Sequence, residues 1–352
     1  MSTIRDVARK AGVAISTVSA VVNRSAPTSA AVVARVEQAI AEIGYMPQRA
    51  AQTLRSGQSR LIGLIIPDIT NPHFATVARV VENVCLRAGY MTFIYNTDED
   101  VDHEMHILKM MRMQRVAGLI LISTRSDAKH GARLMAEIGV PTVLMGSNVA
   151  GTPFDIITLD EEEAGRLAMS HLLALGHRRI AVMAGRSGVS TNEERLEGCR
   201  LACAAHGVAL ADDQVIRANF NEKLAFDETR RIMARPSRPT AVVSLSNLMT
   251  IGLMRGLVAQ NLSSPTDVAI VGIDDFEWAE IMNPRPTTIA QPIVEMTEVA
   301  IAKLLDLIAT GAAPAGRRLR FAPKLVVRDS CGESLGRSAS VIAAERLPSG
   351  DH

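Results

Sequence analysis

Apolar positions along the chain fall into three regimes. Between residues 3 and 46 they recur at helical spacing. Val7, Ala8 and Ala11 share one face before Gly12 breaks the run, and Val18, Val21 and Val22 form a second face. Val32, Val36, Ala39, Ile40 and Ile43 make a third, with Ser29 placed to cap it and Gly44 and Pro47 to end it. Residues 47–59 are polar around a single leucine, Leu54, and predict a linker or a short helix that is marginal on its own. From residue 60 apolar runs alternate with helical segments. The run 61–67 reads as a strand buried on both faces. Helix 74–87, strand 90–95, helix 101–114, strand 117–122, helix 128–138 and strand 141–145 follow. The rhythm resumes with helix 161–175, strand 179–184, helix 192–206, strand 214–219, helix 222–234, strand 240–244, helix 247–260 and strand 268–272. Such alternation predicts doubly wound parallel sheets, and there are too many strands for one. The expected architecture is therefore an all-α head on residues 1–46, a hinge on 47–59 and a two-lobed α/β body on 60–330. In such a body a ligand sits between the lobes at the carboxyl ends of the strands. Residues 331–352, rich in Ser, Gly and Ala and without heptads, read as a flexible tail.

Composition changes this picture in only a few places. With 47% apolar residues a large core is available, and 38 basic against 37 acidic residues say nothing about partners. Their distribution does. The first sixty residues carry Arg5, Arg9, Lys10, Arg24, Arg35, Arg49, Arg55 and Arg60 against Asp6, Glu37 and Glu42, which suits a phosphate-binding head on a neutral body. The cysteines (Cys85, Cys199, Cys203, Cys331) lack disulfide or CxxC spacing, which points to a reducing compartment. No cationic leader precedes an apolar run, and no apolar stretch is long enough to span a bilayer. A cytoplasmic protein with no membrane partner is expected.

In the head, Ala8 and Ala11 are small where two helices would cross, Gly12 makes a tight turn, and Val13 and Val18 lock the pair. The second helix then offers Ile15, Ser16, Ser19 and Ala20 to a major groove, as in a helix-turn-helix. A small helical bundle without a ligand would show the same spacing. Asp6-Val-Ala8, Ala11-Gly-Val13, Thr17-Val-Ser19, Val21 and Asn23 together resemble the DNA-binding head of the LacI/GalR repressor family. Gly44-Tyr-x-Pro47 and Ala51-x-x-Leu54 extend the resemblance into the hinge, and residues 60 to about 328 are similar to the family's effector domain.

The resemblance implies an effector-controlled repressor that acts as a homodimer on pseudo-palindromic double-stranded operator DNA and uses no cofactor or metal. It implies base contacts from Ile15, Ser16 and Ala20 and phosphate contacts from Thr3, Thr17, Asn23 and Tyr45. It also assigns Ala51, Leu54 and Arg55 of the hinge to DNA, with Leu54 wedged into a minor-groove step and bending the duplex. Packing against the body is the alternative for Leu54. Departures bear on specificity. Ala14 stands where the family has a capping serine, and Ala30, Ala31, Val32 and Val33 replace charged residues and a threonine. Ile15 and Ala20 cannot form bidentate hydrogen bonds, so readout is expected to rest on thymine methyls and DNA shape.

Asn71-Pro-His-Phe74 follows the first strand where a ligand loop belongs, with Pro72 at the start of a helix. The resemblance places His73, Phe74, Ser123, Arg195, Phe220, Ser246, Asp274 and Trp278 at the effector. Asp and Arg would grip vicinal hydroxyls while an aromatic face covers a sugar ring. An ion pair of Arg195 with Glu193, Glu194 or Glu197 is the alternative. Asn247 and Gly146 stand where relatives often carry aspartate, which leans toward an acidic sugar or a sugar phosphate.

Other signals point elsewhere. Cys199 and Cys203 lack a completing histidine and read as core. His103-Glu-Met-His106 falls one residue short of a zinc-protease motif and reads as a solvated helix face, and Met105, Met110, Met111 and Met113 read as core filler. Gly185-Arg-Ser-Gly188 reads as a plain loop, and no G-x-x-x-x-G-K or G-x-S-x-G motif occurs. A sugar-binding or enzymatic α/β protein without an operator is the rival reading. It would call for a leader peptide or a paired nucleophile and base.

Overall fold

The computed structural model describes residues 2–23, 26–45 and 59–333. The chain forms two units, Met1–Ser59 and Arg60–His352. Most of the expected hinge and the tail beyond residue 333 lie outside the described residues.

In the first unit Thr3 opens helix α1 (Ile4–Ala11) with a reciprocal capping box to Asp6, and Gly12, at φ 63°, closes it. Helix α2 (Ile15–Asn23) starts on the Ala14 carbonyl, which accepts from the Thr17 and Val18 amides at 3.0 and 3.2 Å. Alanine brings no capping oxygen there. Helix α3 (Ala30–Ile43) begins after Ser29, but the Ser29 side chain makes no cap bond. Its carbonyl takes the Val32 and Val33 amides instead. Val7, Ala8, Ala11, Val18, Val36 and Ala39 close the core of this unit.

The second unit holds two six-stranded sheets. Strands β1 (Leu61–Ile66), β2 (Met91–Asn96), β3 (Gly118–Leu121), β4 (Thr142–Met145) and β5 (Asp155–Leu159) build the first lobe. They alternate with helices α4 (Pro72–Arg87), α5 (Val101–Met113) and α6 (Ala128–Glu137). The second lobe has β6 (Ile180–Ala184), β7 (Val215–Arg217), β8 (Ala241–Ser244), β9 (Ala269–Ile273) and β10 (Thr287–Ala290). Its helices are α7 (Glu161–Ala174), α8 (Ser190–Ala205), α9 (Glu222–Met233) and α10 (Asn247–Val258). Helix α11 (Ile293–Thr310) then returns to the first sheet, β11 (Arg318–Phe321) joins its edge, and β12 (Lys324–Val326) joins the second. The orders are β11-β5-β4-β3-β1-β2 and β12-β10-β9-β8-β6-β7, and all pairs are parallel except β10 with β12.

The chain therefore crosses between lobes three times, after β5, after β10 and after β11. In each sheet strand order reverses beside its first strand, which opens a crevice at the carboxyl ends. Short polar side chains fix where the helices start. Asn71, Asp100, Asp127, Asp160, Asn221 and Ser246 each accept from a first-turn amide. No helix of the described residues is long and apolar enough to cross a membrane.

Candidate functional site

Two surfaces bear on function. On the head, Ile15 leaves 41% of its surface exposed although it is apolar, and Ser16 beside it is exposed. Thr17 and Ala20 are half-buried on the same helix, Thr3 is exposed at the cap of α1, and Tyr45 packs at the margin of the core. The Asn23 side chain and Ala51, Leu54 and Arg55 lie outside the described residues.

In the body a cavity of about 710 Å³ opens between the lobes. It is within the range of small-molecule sites. Its walls bring together His73, Phe74 and Ser123 from the first lobe with Arg195, Phe220, Ser246 and Asp274 from the second.

Arg195 is the best-defined element. A Cβ at Gly165 on α7 would stand 1.9 Å from the Arg195 carbonyl oxygen, and one at Gly198 on α8 would stand 1.9 Å from that of Glu162. The two helices thus touch backbone to backbone, and Arg195 is drawn beside Glu161. Its Nε donates to Glu161 Oε2 at 2.6 Å and Nη1 to the Leu245 carbonyl at 2.7 Å. Nη1 and Nη2 each donate to Asp274 at 3.3 Å. Asp274 adopts φ 72°, a cost accepted where the surroundings hold it, and takes a further bond from Gln291 Nε2 at 2.5 Å. Those bonds use four of the five guanidinium N–H groups. One Nη2 hydrogen and the second lone pair of Asp274 Oδ2 remain for a ligand. They lie at opposite edges of the fork, so each can serve a different hydroxyl.

The electrostatics follow from one cation shared by two buried carboxylates. Burial pushes the Glu161 carboxyl up to about 7 despite Arg195, with Asp274 and Glu194 adding to the rise. Burial works against the Arg195 cation, yet Asp274 and Glu161 hold its pKa above the ordinary value. Glu193, Glu194 and Glu197, the alternative partners, pair instead with Arg217, Arg318 and Arg200.

The other walls are specific too. Asn219 and Phe220 both take positive φ, and the Phe220 ring lies so close to Gly185 that a Cβ there would be 2.2 Å from it. His73 stands edge-on to Phe74 at 4.9 Å. Burial lowers its pKa, and its buried Nδ1 has no hydrogen-bond partner among the described residues. Ser246 spends its hydroxyl capping α10.

Four readings need correction. Trp278 does not reach this cavity. After Asp274 the chain turns outward, Asp275 is held by Arg328 at 2.8 and 3.0 Å, and Trp278 packs on Phe276, 45% exposed beside a separate cavity of about 310 Å³. Residues 103–106 are not uniformly solvated. His103 and His106 are exposed, whereas Glu104 is fully buried, bonded to His130 at 2.7 Å and to Ser123 at 3.1 Å. Its spacing to Leu108 and Met111 on the apolar face is the signal that would have shown this. The Ser123 hydroxyl is thereby committed within the wall rather than free for a ligand. Of the methionines, Met113 is 73% exposed rather than core.

The loop 185–188 is the fourth correction, since it joins the lobes. Arg186 pairs with Glu99 at 3.1 Å, and the Gly188 carbonyl accepts from the Ser126 amide at 3.0 Å. Burial raises the Glu99 pKa while Arg186 opposes the rise. Asn247 also bridges the lobes, donating to Asn71 Oδ1 at 2.8 Å.

A helix-turn-helix head and two doubly wound lobes around a polar cavity are the parts of a DNA-binding transcription regulator. Comparison with known proteins fixes the family. Residues 3–48 match the bacterial regulatory proteins of the lacI family, and residues 169–331 match a periplasmic binding protein-like domain. The ribose operon repressor of Escherichia coli K12 is 35% identical over 330 residues, covering 94% of this chain and 100% of that one. The crystal structure of the Lac repressor dimer bound to operator and the anti-inducer ONPF superposes with a TM-score of 0.83 at 28% identity, covering 94% and 99% of the two chains. A complex of the transcriptional regulator CelR with cellobiose gives 0.69 at 30% identity, covering 94% and 100%. The chain belongs to the lacI family of DNA-binding repressors, and its relatives are transcriptional regulators, not enzymes.

Proposed function

We propose that this repressor binds a pseudo-palindromic operator as a homodimer and that a carbohydrate, a sugar or sugar acid, in the interlobe cavity sets its grip. The Arg195–Asp274 fork carries the reading. It is buried, is bonded also to Glu161 and the Leu245 carbonyl, and leaves one Nη2 hydrogen and one Oδ2 lone pair unused at opposite edges of the fork. Each can meet a hydroxyl of a polyol. Phe220 supplies an apolar face for a sugar ring, and His73 lines the same cavity. A ribose operon repressor and a cellobiose-bound regulator among the relatives support the same class.

On DNA, Ile15, Ser16 and Ala20 would meet base edges, with Thr3, Thr17, Asn23 and Tyr45 on phosphates and Ala51, Leu54 and Arg55 in the hinge. Residues 1–46 act as the head, 47–59 as the hinge and 60–330 as the body; the tail expected from 331 starts later, since Cys331 is buried in the core of the body. Exposed Met91 and Ile94 on edge strand β2, and Trp278 and Ile281 on the second lobe, supply apolar surface for a second copy. The protein works in the cytoplasm at the nucleoid.

The test is a thermal-shift screen of pentoses, hexoses, their acids and their phosphates against the full chain. A ligand at 100 times its Kd adds about 2.7 kcal/mol to stability. No shift with any carbohydrate, or an undiminished shift in Arg195→Lys, would remove the proposal.

A further inference from the structure

We propose that His171, Cys331 and Glu333 form a binding site for a zinc-type divalent cation at the far end of α7 from the effector cavity. Each side chain offers one ligand atom, and all three atoms lie within 4.8 Å of one another. With metal–ligand bonds of about 2.0–2.3 Å, the corners of a tetrahedron are about 3.3–3.8 Å apart, so small side-chain rotations bring all three to one ion. A mixed nitrogen, sulfur and oxygen set suits zinc better than magnesium or calcium, which prefer oxygen alone.

Two independent features mark the cluster as more than packing. The His171 Nε2 atom is buried and has no hydrogen-bond partner among the described residues. Buried imidazole nitrogens are ordinarily satisfied, and a cation coordinated through Nε2 would satisfy this one. The second feature is the backbone that presents the other two ligands. The Ser330 hydroxyl donates to the Ile270 carbonyl at 2.7 Å and accepts from the Thr287 amide at 2.8 Å, which fastens the turn to the second sheet. Gly332, at φ 84°, then reverses the chain so that residues 331 and 333 both address His171. A side chain at position 332 would strain that turn.

Cys331 is 2% exposed, and its thiol donates to the Arg328 carbonyl at 3.5 Å, a bond that metal binding would replace. On binding, Cys331 gives up its proton to solvent, and thiolate plus carboxylate neutralise the dication. Water takes the fourth corner. His171 lies ten residues along α7 from Glu161, about 15 Å at the helical rise, so the two sites are separate.

The experiment uses full-length protein stripped with a chelator and titrated with zinc(II), then with cobalt(II) as a spectroscopic stand-in. The expected result is one ion per chain, a rise in Tm, and a thiolate-to-cobalt charge-transfer band. Cys331→Ser and His171→Gln should each weaken binding by about 100-fold or more, and Glu333→Gln by about tenfold. Uptake of no zinc, cobalt binding without the thiolate band, or unchanged affinity in the variants would each overturn the site. The wild-type spectrum decides the matter even if a variant folds poorly.

Discussion

Replacing Arg195 by alanine tests how the cavity wall is built, and its cost depends on pH. The change removes bonds to Glu161, the Leu245 carbonyl and Asp274 and leaves two buried carboxylates without a counter-ion. Removing one partner of a buried pair costs about 3–5 kcal/mol. A domain has about 5–15 kcal/mol in total, so the variant should fold with little margin. Part of the loss is recoverable. Glu161 sits at about 7 even beside Arg195 and rises further once the guanidinium is gone, because Arg195 is the main influence holding it down. A carboxyl raised above its unfolded value gives a folded state that holds more protons than the unfolded one between those two pKa values. Its contribution to stability therefore falls as pH rises through that window. The deficit of the variant should therefore be smaller near pH 5, where the Glu161 carboxyl is protonated in both proteins, than near pH 8, where only the wild type gives it a counter-ion. Urea unfolding of both proteins at the two pH values measures it. A deficit below about 1 kcal/mol at pH 8, or one independent of pH, would show that the buried charge cluster is misassigned. Arg195→Lys keeps the charge without the fork, and should unfold closer to wild type while losing effector binding.

Other outcomes follow from the same structure. Gly165→Ala puts a methyl 1.9 Å from the Arg195 carbonyl and should cost about 3 kcal/mol or more, measured as a lowered Tm, with weakened effector binding because Arg195 moves. Leu54→Ala should weaken operator binding by about tenfold while effector affinity stays unchanged; an unaltered operator Kd would make Leu54 a packing residue. Sedimentation should give a dimer at micromolar protein, and a stable monomer or tetramer would contradict the proposed assembly.

The α/β rhythm was legible because apolar runs alternate with helical segments, and boundaries read from that alternation agree with the structure within about two residues. The one cap read in the chain, Ser29, makes no side-chain bond, whereas Asn71, Asp100, Asp127 and Asp160 do. Strands β5, β10, β11 and β12 escaped that reading. Thr287-Thr-Ile-Ala290 and Arg318-Leu-Arg-Phe321 are short and mixed in polarity, and only pairing with neighbours makes them strands. Helix α11 also escaped, although Met296, Ala300, Leu304 and Leu307 repeat at helical spacing. The cavity was partly legible. Seven of the eight side chains expected at the effector meet there, and Trp278 is carried away by a turn at Asp274 that no local pattern announces. Partnerships were the least legible part. Arg195 finds Glu161 and Asp274 across 34 and 79 residues, while its acidic chain neighbours pair with other arginines. The two glycines that allow this, Gly165 and Gly198, show their purpose only once α7 and α8 are seen to touch.

Coupling between the cavity and the head is the central claim, and one measurement addresses it. Operator Kd should be determined by fluorescence anisotropy for the full chain, at fixed salt, with and without a saturating carbohydrate that raises the Tm. The expected change is about five- to 150-fold, a coupling of about 1–3 kcal/mol, and it should disappear in Arg195→Lys. An operator Kd that stays the same while the carbohydrate is demonstrably bound would contradict it.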